Sequence, residues 1–269
     1  MTHESFTTFW PRLRQEAEQA ARAEPPLRAM LHAHILDHAA FPDALAHFLD
    51  HRLASPDLAA GIVKAAVHDA MQHTPALLQA FLHDLDAVTT RDPACRTLLQ
   101  PFLFFKGFAA LQAHRVAHWL WHRERTVLAY HIQSRCSELF QVDIHPAARL
   151  GNGIFIDHAT GVIIGETCVI DDDVSILQGV TLGGSGKERG DRHPKIRRGV
   201  LIGAGAKVLG NIVIGEDARI AAGSVVLEDV PARCTVAGIP ARPVGGKCCE
   251  DTIPAVAMNQ RFDADGSQS

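Results

Sequence analysis

Asp157 and His158 stand side by side in "DHATGVIIGET", residues 157–167, where the neighbours are otherwise mostly small or aliphatic. A carboxylate beside an imidazole is a minimal kit for general acid–base chemistry. Unperturbed imidazole titrates near pH ~6.5, so it can take a proton from a hydroxyl. A further acid, Asp143, lies fifteen residues upstream of His158. If the chain turns once in about 18 residues, Asp143 stacks near His158, fixing its tautomer and stabilising the imidazolium. Arg192 and His193 belong to a polar stretch, "GGSGKERGDRHPK", at residues 183–195. From Ser185 to Arg198 six basic residues face two acidic ones, in a chain of formal net charge −4. That local excess points to an anionic ligand, a nucleotide-like phosphate among them. His114, His118 and His122 repeat at four-residue intervals, one face of a helix, but lack the glutamate of a zincin helix. Packing or surface roles are expected for them, and no metal.

Two kinds of element must position these residues. Residues 1–141 repeat apolar residues at three and four positions, as in "LAAGIVKAAVHDAMQ" and "PALLQAFLHDLDAV", with prolines between the segments, so an all-helical domain is expected. Asp92, before Pro93, would by itself read as turn chemistry at a helix start. From Ile144 the period becomes six: Ile144, Leu150, Ile156, Val162, then a restart two residues late at Ile164, Ile170, Ile176 and Leu182. It resumes at Ile196, Ile202, Val208, Ile214, Ile220 and Val226. A helix of period 3.6 cannot keep that phase, whereas a parallel β-helix of hexapeptides can, one short strand and one corner per repeat. The domain is expected over 142–243, with 183–195 protruding as a loop and 244–269 as a polar, flexible tail.

The totals exclude several classes. Net charge is mildly acidic, giving no electrostatic case for nucleic acid or an anionic membrane surface. The N-terminus lacks a basic start followed by an apolar stretch, and no run approaches the ~18 residues of a membrane span. Six cysteines without a C-x-x-C pair read as reduced thiols of a cytoplasmic protein, the adjacent Cys248 and Cys249 included.

"TRDPA" at 90–94, "FKGFAALQAHRVAHWLW" at 105–121, "VDIHPAA" at 142–148, "DHATG", "LQGVTLGG" at 177–184 and "GDRHPKI" at 190–196 together resemble the serine O-acetyltransferases. The resemblance runs from the first helices to "AGIPARPVG" at 237–245. It implies a left-handed β-helix and transfer of acetyl from acetyl-CoA to the hydroxyl of L-serine in cysteine biosynthesis. It implies His158 as general base with Asp143, and Asp92 and Asp157 around the substrate ammonium. Arg192 and His193 would lie near its carboxylate and hydroxyl. Acetyl-CoA would lie along the prism against Gly183, Gly184, Ala204, Gly205, Ala222 and Gly223. The family forms trimers with sites between subunits, and two trimers joined through the helical domains are expected. L-cysteine would act as feedback inhibitor. Relatives also bind O-acetylserine sulfhydrylase through a tail ending in isoleucine; here the last residues are "RFDADGSQS", so that partnership is doubtful. The rival readings are another acyl-CoA-dependent hexapeptide acyltransferase, and a zinc carbonic-anhydrase-like β-helix using His145, His158 and His193.

Overall fold

The computed structural model describes residues 6–186, 189–244 and 253–260. Cys248, Cys249, the loop residues Lys187 and Glu188 and most of the 244–269 tail lie outside them. The first half is helical: α1 (Phe6–Ala23), the one-turn α2 (Arg28–Leu31), α3 (Phe41–Leu53), α4 (Ile62–His73), α5 (Ala76–Arg91), α6 (Leu99–Phe104), α7 (Lys106–Trp121) and α8 (Thr126–Phe140). α7 is buried on nearly every side from Gly107 to Leu120. Its polar side chains Gln112, Arg115 and His118 find hydrogen-bond partners inside the fold, and the helix lies between the other helices and the strands that follow. Gln141 ends α8 in the left-handed region, and strand β1 begins at Val142.

Among the described residues, fifteen short strands then build three sheets. The first contains β1 (Val142–Ile144), β4 (Val162–Ile164), β7 (Thr181–Gly183), β10 (Lys207–Leu209) and β13 (Val225–Val226). The second contains β2 (Arg149–Leu150), β5 (Val169–Ile170), β8 (Lys195–Ile196) and β11 (Val213–Ile214). The third contains β3 (Phe155–Ile156), β6 (Ser175–Ile176), β9 (Leu201–Ile202), β12 (Arg219–Ile220), β14 (Thr235–Gly238) and β15 (Ala241–Pro243). All pairs are parallel except the closing β14–β15 pair. The result is a parallel β-solenoid of triangular section. Its interior is made by the six-residue beat: Ile144, Ile164, Leu182, Val208 and Val226 stack in register on one face. Each of these is essentially inaccessible to solvent.

Register corrects one detail of the sequence reading. Val142 pairs with Val162, twenty residues on, whereas Ile163 pairs with Thr181, eighteen residues on. Val162 and Ile164 lie on one strand, so the slip is not between them. The two extra residues sit in the corner from Asp157 to Gly161. The next irregularity is larger: Thr181 pairs with Lys207, and the eight added residues form the protrusion between β7 and β8.

The halves share one apolar cluster, running from Phe9 to Val236. A buried ion pair locks them. The Asp84 carboxylate on α5 is fully buried and accepts from Arg115 Nε (2.7 Å) and Nη2 (2.8 Å), from Gln112 Nε2 (3.1 Å), and from the Ile154 amide (3.0 Å). Arg115 Nη2 also donates to the Gly151 carbonyl at 2.7 Å. The helical half thus grips the first coil just before the Asp157 corner.

Candidate active site

The corner from Asp157 to Gly161 joins β3 to β4, and its backbone is unusual. His158 (φ 54°), Ala159 (φ 64°) and Gly161 (φ 77°) all adopt the left-handed region. For the two non-glycine residues this costs about 1–2 kcal/mol each, a strain that persists only when surroundings impose it. Here they do. Asp157 donates its N–H to the Ile176 carbonyl (2.8 Å) and Gly161 to that of Gln141 (2.7 Å), while Lys106 Nζ donates to Thr160 Oγ1. The outcome is an imidazole standing out from the prism: the His158 side chain is 74% exposed. Its Nε2 lies 3.8 Å from Asp157 Oδ2, a Coulombic rather than a hydrogen-bonded distance. Asp157 is half-buried, and burial pushes its carboxyl up; the His158 imidazole offsets this, and the charge of Asp92 adds to it. Asp92 caps the end of α5, where its Oδ1 accepts from the Ala94 amide at 2.8 Å. A half-buried carboxylate whose ionisation is made costly by burial and by an acidic neighbour is a place a cation would relieve.

Arg192 and His193 are assembled elsewhere, across the width of the first sheet. β4 is followed by Gly165, Glu166 and Thr167, and these three hold the end of the protruding loop. Arg192 Nη2 donates to Glu166 Oε2 at 2.7 Å, and its guanidinium holds the glutamate below the usual carboxylate range. The Thr167 hydroxyl accepts the amides of Arg192 and His193, each at 3.1 Å, and lies 2.9 Å from His193 Nδ1. The Thr167 N–H reaches the same Nδ1 at 3.2 Å, which makes Nδ1 the acceptor and leaves the proton on Nε2. Burial lowers the affinity of His193 for a second proton. The ring lies flat on Gly165: a Cβ there would fall 2.1 Å from its Cδ2 and Nε2. Gly165→Ala is therefore expected to displace the imidazole and lower kcat/KM for the small substrate by about 10²-fold, since ångström misplacements cost that much. Steady-state kinetics on the purified variant check this, and an unchanged value would remove His193 from the site.

Asp143 belongs with this second group. It projects from the middle of β1, and its Oδ1 accepts from Gln133 Nε2 at 2.6 Å. Its charge is felt by His145, as is that of Glu166. Asp143 and His158 make no ion pair within one chain: in the twenty-residue first coil Asp143 pairs with Ile163 in the middle of β4, and His158 lies in the corner before that strand. The six polar residues therefore form two groups: Asp92, Asp157 and His158 at the edge entering β4, and Asp143, Arg192 and His193 on its face and exit edge. The three residues of β4 between the edges span about 7–10 Å.

The six small residues divide in the same way. Ala204–Gly205 and Ala222–Gly223 occupy turns on the His158 edge, Gly205 and Gly223 having φ 71° and 70° with open space beside them. In each turn a closing bond, Ala206 N–H to Gly203 O or Ser224 N–H to Ala221 O, spans four residues with glycine third, the type II pattern. The glycine amides are spent on the coils above, Gly205 on Gln178 and Gly223 on Ala204. The Ala204 and Ala222 amides have no partner among the described residues, so donors for an extended ligand lie at the alanines and the glycines supply room. Gly183 and Gly184 lie at the exit edge, Gly184 against Arg192.

Of the spaced histidines, His114 and His118 lie on α7 and serve its packing, and His122 follows the helix, exposed. His118 Nδ1 contacts the Pro146 carbonyl at 2.7 Å, and His114 is buried and held neutral by its burial. Among the described residues no group of three histidine, cysteine or acidic side chains is arranged to hold a metal ion.

Comparison with known proteins resolves what this constellation belongs to. Residues 9–113 match the family model "Serine acetyltransferase, N-terminal", and residues 193–228 match "Bacterial transferase hexapeptide (six repeats)". A serine acetyltransferase of Salmonella typhimurium is 49% identical over 263 residues, 98% of this chain and 96% of that one. The chain belongs to the serine acetyltransferase family. The crystal structure of serine acetyltransferase from Brucella abortus in complex with coenzyme A matches with a TM-score of 0.86 at 53% identity, covering 87% of this chain and 94% of that one. A serine acetyltransferase in complex with cysteine matches with a TM-score of 0.93 at 48% identity, covering 96% and 100%. Membership in this family sets aside the carbonic-anhydrase reading.

Gly165, Glu166, Thr167 and Lys106 were not singled out from sequence, although all lie inside quoted motifs. The signal was their position: "GET" follows the six-residue beat immediately, where a polar residue has no packing purpose in the prism.

Proposed function

We propose that the two residue groups belong to one composite site, completed when the His158 edge of one subunit meets the Arg192 edge of a neighbour. The reaction is that of the family: acetyl passes from acetyl-CoA to serine, in the biosynthesis of cysteine. The serine ammonium takes its place between Asp92 and Asp157, and Arg192 pairs with the carboxylate in the bidentate manner guanidinium favours. That orientation presents the hydroxyl to His158, which removes its proton as the oxygen attacks the thioester carbonyl. The tetrahedral intermediate collapses with cleavage of the C–S bond, and the imidazolium returns the proton to the departing sulfur, giving O-acetylserine and free CoA. No residue of the chain becomes acetylated. Asp143 and His193 of the neighbouring subunit orient His158 and the hydroxyl. Acetyl-CoA lies along Ala204, Gly205, Ala222 and Gly223, reaching Gly183 and Gly184 of the neighbour.

The observation that supports this most is the Asp157 corner itself. A strained turn presents an imidazole to solvent beside Asp157, whose charge is made costly by burial and by Asp92, which suits a small zwitterion carrying a hydroxyl. The composite reading accounts for the separation of the groups by the width of one sheet. It also fits a trimer, with residues 1–141 joining two trimers and 142–243 carrying the chemistry. No helix among the described residues is long and apolar enough to cross a membrane, and we place the enzyme in the cytoplasm. L-cysteine, which differs from serine by sulfur for oxygen, fits the same contacts as an inhibitor.

The test is subunit mixing. Arg192→Ala alone is expected to raise the serine KM, and His158→Ala alone to abolish most turnover. Mixed after dissociation and reassembly, and assayed by CoA thiol release below the serine KM, the pair regains turnover that neither variant has, because some interfaces combine two intact edges. No recovery in demonstrably mixed oligomers would return all six residues to a single subunit.

A further inference from the structure

Arg91 immediately precedes Asp92, yet its guanidinium turns the other way and enters the protein. The side chain is 4% exposed, and burial lowers its proton affinity against the opposing pull of Asp173. A buried cation is costly unless its partners are fixed. Nη2 donates to Asp173 Oδ1 at 3.0 Å, and Nη1 donates to Ser175 Oγ at 3.1 Å. The fully buried Ser175 hydroxyl in turn donates to the Ala255 carbonyl at 2.8 Å. Ala255 lies on α9 (Pro254–Ala257), which packs against α5 and β9. The Ala255 amide bonds the Gly199 carbonyl at 3.2 Å, and Arg219 Nη1 holds the Asn259 carbonyl at 3.0 Å. Met258 packs on the small cluster of Ala87, Val88 and Phe155, directly beneath the last turn of α5.

We propose that Arg91 is a positioning residue for substrate binding: through Ser175 it ties the end of α5, and so Asp92, to the solenoid and to the segment 253–260. This rests on the reading of Asp92 as a partner of the serine ammonium. Asp92 is the residue at which α5 stops. Its amide is still bonded to the Val88 carbonyl at 3.0 Å, and its Oδ1 is committed to the Ala94 amide. The direction of its other oxygen therefore follows the backbone at 91–92, and that backbone is tethered by the Arg91 fork. Asp157 faces Asp92 from β3's end, which is the neighbouring strand of the β6 that carries Ser175. The tether thus references both carboxylates to one pair of strands, Phe155 standing opposite Ser175. Asp173 does not depend on Arg91 for compensation, because Arg198 Nη2 also reaches its Oδ2 at 3.2 Å. Its second cation frees Arg91 for a geometric rather than a charge-balancing duty.

The experiment compares Arg91→Met, Ser175→Ala and Asp92→Asn in the full-length enzyme, measuring KM for serine, KM for acetyl-CoA, and kcat. Ser175→Ala removes one hydroxyl and keeps the fold's volume nearly unchanged, so it serves should Arg91→Met not fold. Losing the two buried hydrogen bonds of this hydroxyl is expected to raise the serine KM about fivefold to tenfold with the acetyl-CoA KM unchanged, alongside a lowered Tm. Ser175→Ala should add little in an Asp92→Asn background, since both act on one contact. Serine KM unaltered in Ser175→Ala, or raised equally with acetyl-CoA KM, overturns the proposal. If Asp92→Asn itself leaves the serine KM unaltered, the assignment of Asp92 to the ammonium fails instead, and the two failures are told apart.

Discussion

His158→Ala should lower kcat by roughly 10²–10⁴-fold, the range expected when a positioned general base is removed. The serine KM should change far less, because the charged partners assigned to serine are Asp92, Asp157 and Arg192. The substitution is structurally mild. His158 is largely exposed and packs against nothing in the prism interior. Its backbone conformation is held by the hydrogen bonds of the corner and by Lys106 on Thr160 rather than by the ring. Alanine meets the same left-handed φ that Ala159 already tolerates next door. Lost turnover with an intact melting temperature therefore reports chemistry. Turnover within a few-fold of the parent would remove His158 from the mechanism, and with it the proton route from hydroxyl to sulfur. The Asp157 carboxyl, raised by burial and by Asp92, makes a companion case: Asp157→Asn keeps the shape but removes one charge, and belongs with Asp92 and Arg192 among changes read in the serine KM.

The second large effect is on stability. Asp84→Ala is expected to cost about 3–5 kcal/mol, because it leaves the 6%-exposed Arg115 guanidinium buried without its carboxylate. It also strips a partner from Gln112 and from the Ile154 amide. Urea denaturation followed by circular dichroism should show the midpoint falling at an unchanged slope. The double variant Asp84→Met, Arg115→Leu is expected to recover the part of the loss due to the unpaired guanidinium, but not the part due to Gln112, the Ile154 amide and the Gly151 carbonyl, which stay without these partners. A loss under about 1 kcal/mol in Asp84→Ala would mean that the shared apolar cluster alone joins the helices to the solenoid.

The two expectations meet at one place. Ile154, which Asp84 holds, is three residues before Asp157. Gly151, whose carbonyl Arg115 holds, opens the same turn of chain. The anchoring of the domains and the strain of the Asp157 corner are therefore neighbouring parts of one coil. The helical half does not merely precede the solenoid: it supplies Asp92, Arg91 and Lys106 to the corner and fastens the coil from which the corner springs.

What the sequence determined by itself was whatever repeats or whatever is chemically local. The six-residue beat predicts the solenoid because an inward aliphatic position every sixth residue has one geometric solution. Period three-to-four predicts the helices for the same kind of reason. The Asp157–His158 pair and the basic protrusion before Ile196 were visible as residues out of keeping with their frame, whereas Asp92 by itself read as turn chemistry before Pro93. The family resemblance added roles to them. Distances between coils were not legible. Asp143 and His158 look stackable at fifteen residues, but two extra residues in one corner lengthen that coil, so that Asp143 pairs with Ile163 and His158 falls in the corner before that strand. A beat records how many residues pass, not at which corner an insertion bulges; only the strand register does that. The partners of Arg192 and His193 were equally hidden. Glu166 and Thr167 lie about twenty-six residues earlier in the chain and become neighbours because parallel strands bring successive coils to ~4.8 Å. Arg91, Ser175 and Ala255 are joined across still longer separations by burial, which rewards any pairing that satisfies a desolvated charge. Such pairings leave no period behind them, and only the tertiary structure decided them.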